Sequence, residues 1–340
     1  MRLLRLSLLM TSCVAFADPA LEAALDDVAP SLSKWGTLCL VKEGEGKTTF
    51  EWHDYRNTGR KTDFWPASTI KLPAAIAAVE LLNEQKLDLD AELTFQHQDK
   101  DGRWITDAAR TPREMISEVF RRSSNEDYTL LLRLTGIDWL HERFFTAERG
   151  FPKTALMRGY NAARPWAYLR EEPQRVVHPS VTLTHQWKGR FYAAERGCTI
   201  IDSKTGNMTT TRELCDTLRR VMFHDQIEPA ERFRLSSEQV RFLREGGDGF
   251  TGLETSGADS GPSAWNGAAE TIFPAARYFH KSGLISNYAL DLACIDDRAQ
   301  QGPCYLIALA VNAGYASPVN GEELIRQMSL AVAQWVKSRP

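Results

Sequence analysis

The chain has 340 residues, 43% of them hydrophobic, and a formal net charge of −3, which is ample for a sizeable core in one large domain or two intertwined ones. So even a charge balance gives no sign of a nucleic-acid or strongly acidic partner. No apolar run approaches the roughly 20 residues that span a bilayer, so the mature protein is expected to be a soluble monomer with no transmembrane segment.

Arg2 and Arg5 form a basic start, Leu6 to Ala15 is mostly apolar, and Ala15-Phe16-Ala17 is an A-x-A cleavage site. That order predicts a signal peptide over 1–17, with Asp18 first after cleavage and a periplasmic or secreted destination. A lipoprotein signal ending at Cys13 ranks second, because Met10 stands where such signals usually carry Leu.

Leu21, Ala24, Leu25 and Val28 recur at helical spacing and predict an amphipathic first helix. Thr37 to Val41 is β-prone, and Phe50 and Trp52 then alternate with Glu51 and His53 as in a half-buried strand. From Ser68 to Leu82 the chain is apolar nearly all round, so this helix is expected to be buried on every side. Pro73 falls early enough in it to cost little. Helical patterns follow from Pro112 to Phe120, Glu126 to Leu134 and Thr210 to Met222, and again around Ser237 to Arg244. Between them the stretch from Gly150 to Thr209 reads as irregular, and Gly246 to Gly267 as an exposed loop. Three β runs, Ala276 to Ser282, Tyr288 to Ile295 and Tyr305 to Asn312, precede a last helix. That helix carries Leu324, Ile325, Met328, Val332 and Trp335 on one face, and Asn320 with Glu323 makes a capping-box-like start.

Strands from both ends of the chain can close one sheet, which predicts an α+β fold: a five-stranded antiparallel sheet flanked by the terminal helices, with an inserted all-helical lobe. The expected units are a sheet lobe from 18–62 and 268–340 and a helical lobe over 63–267, with chemistry in the cleft between them.

Five cysteines survive cleavage: Cys39, Cys198, Cys215, Cys294 and Cys304. None forms a C-x-x-C pair, so they are either partly oxidised outside the cytoplasm or simply small buried hydrophobes. None of the seven histidines makes an H-x-H or H-x-x-x-H pair, so neither a metal nor any other cofactor is expected.

Ser68-Thr69-Ile70-Lys71 opens the apolar helix, and Ser-x-x-Lys spacing puts both side chains on one face a turn apart. A serine hydroxyl needs a base, and a lysine serves if burial and a second cation make it neutral. The helix N-terminus favours developing negative charge beside the serine. A second match, Ser31-Leu32-Ser33-Lys34, lies in a polar turn and lacks such a helix. Ser123-Ser124-Asn125 heads the Glu126 helix, either as an ordinary N-cap or as a hydroxyl-and-amide pair for proton transfer and substrate orientation. Lys281-Ser282-Gly283 ends a strand, where the lysine can hold a carboxylate and the glycine admits a substrate backbone. Lys204-Thr205-Gly206 is a better literal match but precedes a helix.

These three motifs, in this order and on these elements, resemble the class A β-lactamase and penicillin-binding serine hydrolase superfamily. Pro66-Ala67-Ser68-Thr69-Ile70-Lys71-Leu72-Pro73 is similar to the family's nucleophile segment, and Met208-Thr209-Thr210-Thr211-Arg212-Glu213-Leu214 to the stretch after its omega loop. The resemblance implies that Ser68 is acylated, with its backbone N–H and that of Leu284 as the oxyanion hole. It makes Lys71 the base or proton relay and Ser123 the donor to the leaving nitrogen. Asn125 would position the substrate, and Lys281 and Ser282 would bind its carboxylate. Trp104 is either a cleft wall or a core residue.

One departure bears on turnover. The family's β-lactamases deacylate through a glutamate in a Glu-x-x-x-Asn segment. Here Glu172-Pro173-Gln174 imitates its start, but Val176 occupies the Asn position. The leading expectation is therefore a β-lactamase-like serine hydrolase. The alternatives are a D-Ala-D-Ala peptidase or transpeptidase acting on peptidoglycan stem peptides, and a non-catalytic binding module that kept the fold.

Overall fold

β-prone apolar runs near both chain ends build the central sheet. The computed structural model describes residues 18–44, 46–57, 64–160, 173–198, 204–257, 265 and 267–339. The expected leader over 1–17 with Cys13, and Glu171 and Glu172, lie outside the described residues.

In chain order the strands are β1 (Lys34–Gly44), β2 (Lys47–Asn57), β3 (Leu93–Gln98), β4 (Trp104–Arg110), β5 (Gln174–His178), β6 (Val181–His185), the short hairpin β7 (Gly246–Gly247) and β8 (Phe250–Thr251), β9 (Arg277–Ile285), β10 (Tyr288–Asp296) and β11 (Cys304–Val311). The main sheet has the order β2-β1-β11-β10-β9 and is antiparallel throughout. Its first two strands and its last three come from opposite ends of the chain, as the apolar pattern predicts. β9 is an edge strand and so keeps ladder groups free for a guest.

β11 is buried at every position because both faces of the sheet are covered. On one side Leu38, Ile307 and Leu309 pack with Leu21, Ile325 and Met328 of the terminal helices. On the other, Cys39, Leu306 and Ala308 pack with Leu214 and Leu218 of the helix Thr211–Met222. Each such leucine or isoleucine contributes about 1.5–3 kcal/mol by leaving water. The five described cysteines are all buried, and Cys39, Cys215, Cys294 and Cys304 carry free thiols. The last helix, Gly321–Lys337, is capped by Asn320 Oδ1, which accepts from Glu322 N at 2.9 Å and Glu323 N at 3.3 Å. Glu323 turns to Arg326 instead of completing the capping box.

Lys34 corrects one expectation. Rather than lying in a polar turn, it opens β1 fully buried. Its ammonium donates to Leu25 O at 2.7 Å, to Asp26 O at 3.1 Å and to Val28 O. The first two are carbonyls that the end of α1 (Pro19–Asp26) leaves without intrahelical partners, and the third lies just past its cap.

The middle lobe is built around α2 (Lys71–Gln85), which is buried at every position from Lys71 to Leu82. α3 (Pro112–Arg121) and α4 (Asn125–Thr135) pack beside it. The lobe is not all-helical as expected: it also carries a second antiparallel sheet of order β4-β3-β5-β6. Leu93 and Phe95 are buried while Thr94 and Gln96 face outward, a period of two too short to be legible alone. The partner strand β5 joins through Thr94↔Val177 and Phe95↔Val176, from the segment expected to be irregular. Arg133 of α4 ties this sheet to the helices, bonding Asp107 Oδ2 on β4 and Gln174 Oε1 on β5, each at 2.7 Å.

Candidate active site

The nucleophile motif does not open a regular α-helix. Ala67–Ile70 forms a 3-10 turn that runs into α2 at Lys71. Ala67 has φ 45°, left-handed backbone that costs a residue with a Cβ on the order of 1–3 kcal/mol and is typical of sites held under strain. Ser68 is half-buried, and as a first-turn amide its N–H has no intrahelical acceptor.

Lys71 is fully buried, and its three N–H donors, as an ammonium, are all engaged. They run to Asn125 Oδ1 at 2.7 Å, Ser123 O at 2.5 Å and Ser123 Oγ at 3.1 Å. Burial, and then the charge of Lys281, hold its pKa well below the ordinary lysine value, while Asp127 works the other way. A deprotonated amine gives up one of those bonds and gains a lone pair, the form that can take a proton from Ser68.

Ser123 has φ 56° and sits just ahead of α4. The capping task falls to its neighbour, since Ser124 Oγ accepts from Asp127 N at 3.1 Å. The N-cap reading of the triplet thus falls on Ser124, and Ser123 is left to face the lysines. Asp127 is buried beneath, bonded by Ser124 Oγ at 2.5 Å and paired with Arg110 at 3.2 Å; burial raises its pKa despite these partners.

Lys281 reaches the same spot from β9, donating to Ser123 Oγ at 3.1 Å and to Ser282 O at 2.9 Å. Burial draws its pKa down to about 8, against the pull of Asp291. Asp291, on β10, is held by Tyr278 Oη at 2.5 Å and His280 Nδ1 at 3.1 Å. Next along β9, a Cβ on Gly283 would stand 2.9 Å from Ser68 N and 3.1 Å from Pro66 O. Only glycine lets the edge strand lie this close to the nucleophile turn. Ser282 and Leu284 flank it, both half-buried.

The structure thus brings Ser68, Lys71, Ser123, Asn125, Lys281 and Gly283 together from three elements. It leaves the rival matches elsewhere: Lys34 serves α1, and Lys204 lies 5.5 Å from the Phe191 ring. Trp104 is on β4, stacked under the Arg175 guanidinium at 4.2 Å. Among the described residues no carboxylate is hydrogen-bonded to Lys71 or Ser68, and no group of three or more His, Cys, Asp or Glu is placed to hold a metal ion.

Tyr160 was not legible as a site residue, since no motif marks it. Its hydroxyl donates to Ala67 O at 3.1 Å, and its ring lies 4.9 Å from that of Tyr128. Lys71 Nζ is 5.8 Å from the centre of each. Asp127 and Tyr128 could have been suspected, as they follow Asn125 at the start of the same helix.

A family model described as the β-lactamase enzyme family matches residues 48–336. No curated protein matches the chain significantly. Among solved structures, a β-lactamase from Sphaerobacter thermophilus is 15% identical, with a TM-score of 0.57 over 94% of this chain and 98% of that one. A class A β-lactamase from Mycobacterium abscessus is 14% identical, with a TM-score of 0.58 over 94% and 100%. A mutant of the protein PBP-A, solved as an acyl-enzyme complex with penicillin-G, is 18% identical, with a TM-score of 0.57 over 94% and 97%. At these identities the likeness to solved structures is one of fold.

Proposed function

Since the chain belongs to the β-lactamase enzyme family, we propose that it is a serine hydrolase that opens a β-lactam amide through an acyl-enzyme on Ser68. In this reading neutral Lys71 takes the Ser68 hydroxyl proton as Oγ bonds the amide carbon. The Ser68 and Leu284 backbone N–H groups stabilise the oxyanion. The C–N bond then breaks, and the nitrogen receives a proton from Ser123, which recovers one from Lys71. Protonated Lys281, with Ser282, binds the substrate carboxylate, and Asn125 orients both Lys71 and the substrate. The leader expected over 1–17 would deliver the enzyme to the periplasm or outside the cell, where such compounds are met.

The observation that carries this reading is the Ser123 hydroxyl held between two lysines, 3.1 Å from each Nζ. That is the wiring a proton relay from Lys71 to the leaving group needs.

A second reading, a D-Ala-D-Ala peptidase or transpeptidase, is favoured by one further observation. Among the described residues, which leave out Glu171 and Glu172, no carboxylate is hydrogen-bonded to Lys71 or Ser68, and an acyl-enzyme without a carboxylate to activate water would persist. A non-catalytic module is disfavoured by the presence of both Ser68 and Lys71. Incubating the mature protein and Ser68→Ala with a labelled penicillin, and following adduct mass over time, separates the three. A transient adduct that depends on Ser68 supports hydrolysis, and a lasting one supports the peptidase. A folded wild type that never reacts discards both enzyme readings for this class of substrate.

A further inference from the structure

Ala67 and Ser68 share one peptide group, and that group is gripped from the side of its carbonyl. A trans peptide is planar and its C=O and N–H point in opposite directions, so whatever holds Ala67 O also aims the Ser68 N–H. Tyr160 Oη donates to Ala67 O at 3.1 Å, while Gly283 lies against the opposite, N–H side. The Ala67 backbone, at φ 45°, would relax without such restraint. The same tyrosine is half-buried, and its ring lies beside that of Tyr128 along one flank of Lys71, each ring centre 5.8 Å from Nζ.

We propose that Tyr160 is a positioning residue for the acylation step: its hydroxyl aims the Ser68 N–H into the oxyanion site, and its ring keeps water from the Lys71 amine. The proposal rests on the functional reading above. The ionisable groups that face Lys71 are Lys281 from β9, Asp127 and Tyr128 from α4, and Tyr160 itself. Lys281 disfavours the ammonium and Asp127 favours it. At 5.8 Å, near the outer limit of cation–π attraction, the pull of the ring on the ammonium is opposed by its exclusion of water, which in this proposal is the larger effect and tips the amine towards neutrality.

Two variants separate the two effects. Tyr160→Phe keeps the ring and removes only the hydroxyl. It is expected to acylate with a penicillin about tenfold more slowly at saturation, as befits one lost hydrogen bond to a buried carbonyl. Its half-saturating concentration and its rising pH limb should not move. Tyr160→Ala admits water, and the rising limb should move to higher pH as Lys71 regains ordinary basicity, an effect that a purely structural role would not produce. Thermal melts confirm that each variant is folded. A Tyr160→Phe variant as fast as wild type, or a Tyr160→Ala variant with an unmoved rising limb, overturns the proposal. If wild type forms no adduct, the functional reading fails instead. An NMR titration of Lys71 in wild type and Tyr160→Ala then still decides: a higher midpoint in the variant supports the water-excluding role, and equal midpoints overturn it.

Discussion

Lys71 and Lys281 converge on a single oxygen: each Nζ lies 3.1 Å from Ser123 Oγ. Two ammonium groups so placed in a dry pocket repel, and each is also penalised by burial. The strain falls unevenly. Lys71 is held well below the ordinary lysine range by burial and by Lys281, whereas Lys281 falls only to about 8 and has Asp291 as a counter-charge. In the proposed mechanism the pair divides the work on this basis, one lysine serving as a neutral base and the other as a cation.

The first prediction is a pH profile. Acylation needs Lys71 unprotonated, a fraction that grows as pH rises through its depressed pKa. Carboxylate binding needs Lys281 protonated, a fraction that shrinks as pH passes about 8. The second-order acylation constant, which reports the free enzyme, should be bell-shaped with its alkaline limb near pH 8. With Lys281→Arg the guanidinium cannot deprotonate in this range, so the alkaline limb should disappear. A limb that stays in place in that variant would assign it to another group.

Ser123→Ala tests the shared oxygen. Loss of a proton-transferring side chain costs on the order of 10²–10⁴-fold in rate, and here both lysines lose an acceptor as well. Stopped-flow acylation with a chromogenic cephalosporin should show a fall of about 10²-fold or more. Ser124→Ala should act differently: it removes the cap of α4, so it costs about 1 kcal/mol of stability and has a smaller effect on rate. If the two variants exchange these outcomes, the relay belongs to Ser124 and the geometry has been misread.

Gly283→Ala places a methyl group 2.9 Å from Ser68 N, a distance real Cβ atoms do not keep, with backbone rather than a flexible side chain opposite it. Either β9 or the 3-10 turn must shift, and both carry oxyanion donors in the proposed mechanism. Loss of one such donor costs roughly 10²–10³-fold, so acylation should fall by about that factor. The melting temperature should fall as well, because Gly283 is buried against the 3-10 turn and overpacking there costs about 1–3 kcal/mol. Full activity in this variant would remove the oxyanion site from the cleft between β9 and Ser68.

Motifs exposed the site where several constraints met in a few residues. Ser68 and Lys71 stood out because the helix behind them has no polar face, and Lys281 because its strand leads into two more. What escaped depended on contacts remote in sequence. β3 finds β5 some eighty positions away, and neither strand is long enough to declare itself by alternation alone. Tyr160 sits in no pattern, yet it meets Ala67 across the fold. Lys34 read as part of a polar turn because nothing local says that the carbonyls at and just past the end of α1 need a donor.

Those two lysines give the last contrast. Lys34 and Lys71 each complete a Ser-x-x-Lys match and both are fully buried, but their amines satisfy different needs. Lys34 donates only to main-chain carbonyls of Leu25, Asp26 and Val28. Lys34→Met would strand those acceptors beside the core at a cost of about 2–3 kcal/mol, while acylation of Ser68 proceeds at its normal rate. Lys71→Met also strands acceptors, Ser123 O and Asn125 Oδ1, but it relieves the repulsion from Lys281. Its denaturation midpoint should therefore fall less than that of Lys34→Met, while acylation falls by about 10²–10⁴-fold for want of a base. Urea denaturation and adduct formation, measured side by side on both variants, check the pair. A Lys34→Met protein that is stable but inactive would mean that the nucleophile motif had been assigned to the wrong end of the chain.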